Sequence, residues 1–213
     1  MKLCGSSHCE SRNLSKKQRC IFLDRDGTIN KYVGFLRTKE SMELLPNTAE
    51  AIKKINDSEY LCIVVTNQPI IARGESTVEN LNLIHKRMET LLGSSGAYID
   101  KIYYCPHHPD KGFDGEVKEL KLDCDCRKPK IGMLLQAEKD FNIDLENSFV
   151  IGDSTLDIQL GKNAGMETIL VATGQAGTDK KFDAEPTYCA IDLLDGVNKI
   201  LERRKKNGFQ KRY

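Results

Sequence analysis

Two kinds of apolar pattern take turns along the chain. Short unbroken runs, such as Cys20-Ile21-Phe22-Leu23 and Leu61-Cys62-Ile63-Val64-Val65, lack polar alternation, as strands covered on both faces require. Between them, apolar residues recur at helical spacing. The pattern predicts strands at 21–23, 61–65, 99–104, 148–151, 168–172 and 188–191. A short helix follows Pro46-Asn47-Thr48, with Ala49, Ile52 and Ile55 on one face. A longer one runs from Thr77 to Leu92 and gathers Leu81, Ile84, Met88, Leu91 and Leu92; His85 reads as its surface or boundary residue. Further helices span Gly132 to about Asn142, Leu156 to Ala164 (closed by Gly165) and about Leu193 to Lys206. Tyr32 to Leu45 is read as a loop.

Strands alternating with helices mean a parallel sheet wrapped on both sides. The expected fold is α/β, a Rossmann-like three-layer sandwich with a mainly parallel sheet and no large cap domain. The 213 residues suit one such domain. Residues 1–18 read as a flexible N-terminal extension, 19–206 as the folded domain and 207–213 as a basic tail. Cys4, His8 and Cys9 in the extension are half of a metal set that nothing nearby completes. Arg203 to Lys206, with Lys211 and Arg212, reads as a solvated helix end that complements the macrodipole.

Polar residues collect where the strands end: Asp24 and Asp26, Thr66 and Asn67, Arg127 and Lys128, Asp153 and Asp157. Open α/β sheets bind ligands at that edge. The set holds acids, donors and cations, with no serine–histidine pairing. A carboxylate nucleophile suits phosphoryl transfer through an aspartyl-phosphate. Mg²⁺ held by Asp24 and Asp153 would neutralise the repulsion between nucleophile and phosphate. Thr66, Asn67 and Lys128 would stabilise the transferring oxygens, and Asp26 would protonate the leaving oxygen and later activate water.

Charge narrows the partners. With 32 Lys and Arg against 31 Asp and Glu, there is no global electrostatic case for nucleic acid or a membrane surface. No run approaches the roughly 18 apolar residues of a membrane span, and Met1 to Ser6 lacks the apolar core of a secretory signal. A cytoplasmic monomer acting on a small molecule is the expectation.

The eight cysteines are many for a reducing compartment, and three of them share one polar segment with two histidines. Cys105-x-His107 and Cys124-x-Cys126 supply three thiolates and one imidazole, a closed set typical of structural zinc. His108 is the alternative imidazole. The intervening residues 108–123 would be costly to order without metal, so zinc across the 105–126 loop would position Arg127 and Lys128, which follow directly.

Asp24-x-Asp26-Gly27-Thr28, Thr66-Asn67, Lys128 and Gly152-Asp153-x3-Asp157 together resemble the four motifs of the haloacid dehalogenase superfamily of phosphatases, in order over roughly residues 20 to 175. The stretches from Phe22 to Asn30, Thr66-Asn67-Gln68, Ala72-Arg73-Gly74, Tyr104 to Pro109 and Cys124 to Pro129 resemble the D-glycero-D-manno-heptose 1,7-bisphosphate 7-phosphatases, near relatives of the histidinol-phosphate phosphatases. The resemblance implies Asp24 as nucleophile and Mg²⁺ ligand, and Asp26 as acid/base that also ligates through its backbone carbonyl. It implies Thr66 and Lys128 on the phosphoryl group, Arg127 on the substrate, Asp153 on Mg²⁺, Asp157 in support, and His107 rather than His108 on zinc. Arg73 joins Arg127 and Lys128 as cations for a second phosphate. Tyr32-Val33-Gly34-Phe35 stands where that family commonly has Asp-His-Gly-Tyr, and Pro69-Ile70-Ile71 follows Gln68 in place of the usual Ser-Gly-Ile, so the contacts to the sugar differ. The implied activity is removal of the 7-phosphate of a heptose 1,7-bisphosphate in nucleotide-activated heptose biosynthesis. The alternatives are histidinol phosphate or another small phosphate ester, and a non-catalytic zinc-stabilised binding module or the detached half of a fused biosynthetic protein.

Overall fold

The computed structural model describes residues 16–210. The readings placed on Cys4, His8 and Cys9, and on Lys211 and Arg212, lie outside these residues. Six strands form one sheet: β1 (Arg19–Leu23), β2 (Tyr60–Asn67), β3 (Lys101–Cys105), β4 (Phe149–Gly152), β5 (Glu167–Val171) and β6 (Tyr188–Ala190). Their order is β3-β2-β1-β4-β5-β6 and every pairing is parallel. The helices are α1 (Thr48–Asn56), α2 (Val78–Gly93), α3 (Gly132–Phe141), α4 (Thr155–Asn163) and α5 (Leu193–Gln210).

The unbroken apolar runs split between two faces with the strand's period of two. Ile21, Leu23, Cys62 and Val64 pack with residues of α1, α2 and α5. Cys20, Phe22, Leu61, Ile63 and Val65 pack on the other face with residues of α3 and α4. Local chemistry starts and stops the helices. The Thr77 hydroxyl accepts from the amide of Asn80 at 3.2 Å and caps α2. Asn142 adopts a left-handed φ of 51° and ends α3.

One reading is corrected here. His85 is not a surface or boundary residue: it is buried, 6% exposed, beneath the loop that leaves β1. Neighbouring β1 and β4 mark the point where the strand order reverses, the place at which open α/β sheets bind ligands, beyond the carboxyl ends of the strands. Among the described residues, no helix is long and apolar enough to cross a membrane.

Candidate active site

β1 ends at Leu23 and the chain enters a tight turn, in which the amides of Ile29 and Asn30 donate to the carbonyl of Arg25. Gly27 takes φ +86° in it, and a Cβ at that position would lie 2.2 Å from Oδ2 of Asp153. Only glycine combines this conformation with so close an approach.

The two aspartates of the turn have different surroundings. Asp24 accepts from Nζ of Lys128 at 2.8 Å. Burial raises its pKa, Lys128 opposes that, and the charges of Asp157 and Asp26 raise it again, to about 7. Asp26 fills both carboxylate oxygens. Oδ1 accepts from Arg25 Nε at 3.2 Å and Asn30 Nδ2 at 3.0 Å. Oδ2 accepts from Arg25 Nη2 at 2.6 Å and Gln68 Nε2 at 3.0 Å. Burial alone would raise the Asp26 carboxyl, but the Arg25 guanidinium and these donors hold it below its ordinary value.

Lys128 is buried at 3% exposure and spends all three ammonium protons, on Asp157 Oδ1 at 2.6 Å, Asp24 Oδ1 at 2.8 Å and the Val65 carbonyl at 3.1 Å. Burial would lower its pKa, yet the Asp157 and Asp24 carboxylates carry it well above the usual lysine value. Asp157 is equally committed, because its Oδ2 accepts from the Ser154 hydroxyl at 2.5 Å and caps the start of α4. Asp153 is not. Its Oδ2 accepts from the amide of Gln175 at 2.7 Å, while its buried Oδ1 has no partner. Burial, followed by the charges of Asp24 and Asp157, pushes Asp153 up to about 8.

Carboxylate oxygens of Asp24, Asp153 and Asp157 all lie within 4.8 Å of one another. At that spacing each like-charged pair repels by about 3.5 kcal/mol at an effective dielectric of 20. One lysine cannot neutralise three carboxylates, so the chemistry of the donor set suits a divalent cation. The orphaned Oδ1 of Asp153 and the carboxylate of Asp24 are the groups best placed to hold it, because both oxygens of Asp157 already accept hydrogen bonds.

At the neighbouring end of β3 is a second cluster. Cys105 Sγ is 3.5 Å from Cys124 Sγ, which is 3.3 Å from Cys126 Sγ. His107 Nδ1 lies 3.2 Å from Cys126 Sγ and 3.7 Å from Cys105 Sγ. Tetrahedral zinc bonds imply edges of about 3.8 Å between sulfurs and about 3.6 Å from sulfur to nitrogen, so the four atoms fit one ion. Burial lowers the His107 pKa and favours the neutral ring that a metal requires. His108 faces elsewhere: its Nε2 accepts from Arg73 Nη2 at 3.1 Å.

The cysteine cluster is joined to the carboxylate site. The Gln68 amide donates to the Cys105 carbonyl at 2.7 Å, and Arg127 Nη1 donates to the His107 carbonyl at 3.2 Å. Asn67 and Lys128 exchange two bonds: Asn67 Nδ2 donates to the Lys128 carbonyl at 3.2 Å and the Lys128 amide to Asn67 Oδ1 at 3.0 Å. Arg73 lies between the rings of Phe35 and Phe113, with its guanidinium carbon 5.0 and 4.7 Å from their centroids. Lys121 Nζ sits 4.4 Å from the Phe113 centroid, and its side chain is 2% exposed.

Residues 125–196 match the family model described as HAD-hyrolase-like. The chain is 42% identical over 164 residues to the D-glycero-beta-D-manno-heptose-1,7-bisphosphate 7-phosphatase of Pasteurella multocida, covering 76% of this chain and 86% of that one. It is 39% identical over 189 residues to the D-glycero-alpha-D-manno-heptose-1,7-bisphosphate 7-phosphatase of Photorhabdus laumondii, covering 87% and 98%. The chain belongs to the heptose 1,7-bisphosphate 7-phosphatase family. That makes it a phosphatase of the haloacid dehalogenase type. A solved relative, the D,D-heptose 1,7-bisphosphate phosphatase of B. bronchiseptica complexed with magnesium and phosphate, superposes with a TM-score of 0.76. It is 31% identical, with 87% of this chain and 99% of that one covered.

The phosphatase thus brings Asp24, Asp26, Thr66, Asn67, Lys128, Asp153 and Asp157 to one rim, with Arg73 and Arg127 on its cysteine-loop side. Sequence reasoning passed over several residues that shape this rim. Gln68 Nε2 donates both to Asp26 and, at 3.0 Å, to Thr66 Oγ1. Arg25 is fully buried despite standing in a polar motif. Thr173 Oγ1 donates to the Gly27 carbonyl at 2.6 Å and Gln175 holds Asp153, so the loop after β5 closes the site. The available signal was a run of small and polar residues, Thr173-Gly174-Gln175, at a strand's carboxyl end.

Proposed function

We propose that this phosphatase removes the 7-phosphate of D-glycero-D-manno-heptose 1,7-bisphosphate through a covalent intermediate on Asp24. A carboxylate oxygen of Asp24 forms a bond to phosphorus as the bond from phosphorus to the sugar's O7 breaks, and Asp26, which takes up a proton when the phosphate dianion binds beside it, gives that proton to O7. Water then attacks the phosphorus of the aspartyl-phosphate, Asp26 takes its proton, and Asp24 and inorganic phosphate are released. Lys128 neutralises charge on the phosphoryl oxygens, and Thr66 donates to one of them. Asn67 holds the Lys128 peptide in place.

Asp24, the orphaned oxygen of Asp153 and the backbone carbonyl of Asp26 would hold Mg²⁺, which supplies charge neutralisation between carboxylate and phosphate. Cys105, His107, Cys124 and Cys126 would hold zinc, a structural ion that fixes Gln68, Arg127 and Lys128. The observation that carries the reading is the partnerless Oδ1 of Asp153 beside Asp24, in a site whose one lysine is already spent.

The substrate rests on the names of the relatives and on the cations of the cysteine-loop side. Arg73 Nε is buried with no partner. Lys121 Nζ makes no hydrogen bond, and its ion pair with Glu116 is 3.4 Å long. With Arg127, this wall favours a distal phosphate and repels the ammonium of histidinol phosphate. Relatives named for both anomers are similar to this chain, and both anomers enter the test.

The test is phosphate release from both anomers of heptose 1,7-bisphosphate, fructose 1,6-bisphosphate and histidinol phosphate. A heptose bisphosphate should have the highest kcat/KM; a preference for histidinol phosphate would overturn the substrate. Asp24→Asn should abolish turnover while leaving the folded state intact, and wild-type turnover in that variant would overturn the nucleophile.

A further inference from the structure

His85 enters the site region from α2, outside every stretch that marked the chain as a phosphatase. Its Nε2 lies 3.3 Å from Nη1 of Arg25. An arginine carries only donors, so this nitrogen accepts and the ring proton sits on Nδ1. Burial, reinforced by the Arg25 charge, pushes the imidazole down to about 3, so the ring is neutral across the physiological range.

Arg25 is 0% exposed, so its guanidinium depends on protein partners. Two edges of its guanidinium fork serve Asp26, Nε on one oxygen and Nη2 on the other. Because Arg25 and Asp26 are adjacent in the chain, this grip alone does not fix the pair against the rest of the fold; Gln68 Nε2 ties the Asp26 end to the residue after β2 at 3.0 Å. The third position, Nη1, is tied to a residue 60 positions away on a helix packed beneath the sheet. Tyr104 flanks that imidazole, with ring centroids 6.0 Å apart, and limits its movement.

We propose that His85 is a positioning residue for Asp26: by accepting from Arg25, it fixes the fork that orients the Asp26 carboxyl toward the leaving oxygen. The proposal rests on the reading of Asp26 as the proton carrier.

Leaving groups separate the two. kcat/KM covers the steps up to departure of the first leaving group, and an alkoxide needs a proton there whereas 4-nitrophenolate does not. kcat/KM is measured with 4-nitrophenyl phosphate and with whichever sugar phosphate of the above screen the wild type turns over best. His85→Ala should lose about tenfold on the sugar ester, as expected for a catalytic group displaced by a fraction of an ångström, and less than about threefold on the aryl ester. His85→Gln, whose Oε1 can accept from Arg25, should regain the sugar-ester activity. If His85→Ala does not fold, His85→Leu, which also lacks the acceptor, replaces it with the same expectation. An equal loss on both esters, no loss on either, or a folded glutamine variant that regains nothing would overturn the proposal. Asp26→Asn is run alongside. If it does not favour the aryl ester, the proton-carrier reading fails and this inference with it. If it does while the His85 variants do not, only the inference fails.

Discussion

Around Lys128, three acceptors surround one buried ammonium, and the local energetics of the site follow. Removing the cation while Asp24 and Asp157 remain leaves like charges buried without compensation. Lys128→Ala is therefore expected to destabilise the protein by about 3 kcal/mol, read as a lower urea midpoint, and to abolish turnover. His85 makes a prediction of another kind. Its folded pKa is about 3, below the ordinary value of roughly 6.5, so between these values the unfolded chain binds a proton that the folded chain does not. The stability this contributes is present above pH 6.5 and is lost as pH falls. The charged groups facing the ring are Arg25, which deepens the effect, and Asp26, which opposes it. Below pH 6.5 the wild type should lose stability relative to His85→Gln by on the order of 1 kcal/mol per pH unit. Parallel urea midpoints for the two proteins over that range would refute the buried neutral ring.

With the proposed zinc, the cysteine loop is the element whose order would depend on something other than core packing. Its backbone anchors to the β2–α2 connection include the Val117 amide on the Ala72 carbonyl at 3.0 Å and the Ala72 amide on the Pro106 carbonyl at 3.2 Å, and within the loop the His108 amide donates to the Leu120 carbonyl at 3.2 Å. Leu120 packs beside Ile70, Ile71 and Leu81, and Phe113 covers Arg73 and Lys121. These contacts lay the loop over the β2–α2 connection, and a zinc ion at its two cysteine-bearing ends would hold it there. Metal analysis is expected to find about one zinc per chain. Cys124→Ser, or chelation, should release the ion, expose residues 108–123 to limited proteolysis and raise KM more than it lowers kcat. Purified active protein without zinc would contradict this arrangement.

For the molecule as a whole, the strand order β3-β2-β1-β4-β5-β6 puts the two aspartate-bearing loops side by side at the reversal point. Asp24 leaves β1 with its amide donating to the Ile151 carbonyl of β4 at 3.0 Å, and Asp153 follows β4 directly. Folding thus brings the carboxylates together, and a cation that binds only the folded state should stabilise it. At a hundred times its Kd, Mg²⁺ should add about 2.7 kcal/mol, a rise of about 5–10 °C in the unfolding temperature of a chain this size. Calorimetry with and without Mg²⁺ measures it. Asp153→Asn should remove most of the rise, and an unchanged rise in that variant would place the ion elsewhere.

The order and kind of the main elements were legible in the chain itself. Runs such as Leu61 to Val65 and faces such as Leu81, Ile84 and Met88 carry the periods of strand and helix whatever surrounds them. Asp24 and Asp153 were legible at their strand ends too, because each stands directly after such a run. Tertiary structure alone decided what each polar side chain touches. A helical period shows which face His85 belongs to but not that Arg25 lies across from it. Spacing places Asn67 after a strand but not against the Lys128 peptide, and nothing local to Thr173 or Gln175 points to Asp153. Phe35 and Phe113 meet around Arg73 from loops far apart in the chain. Local periodicity is a property of one element, whereas burial and hydrogen-bond partners depend on strand order, which brings distant loops to a common edge.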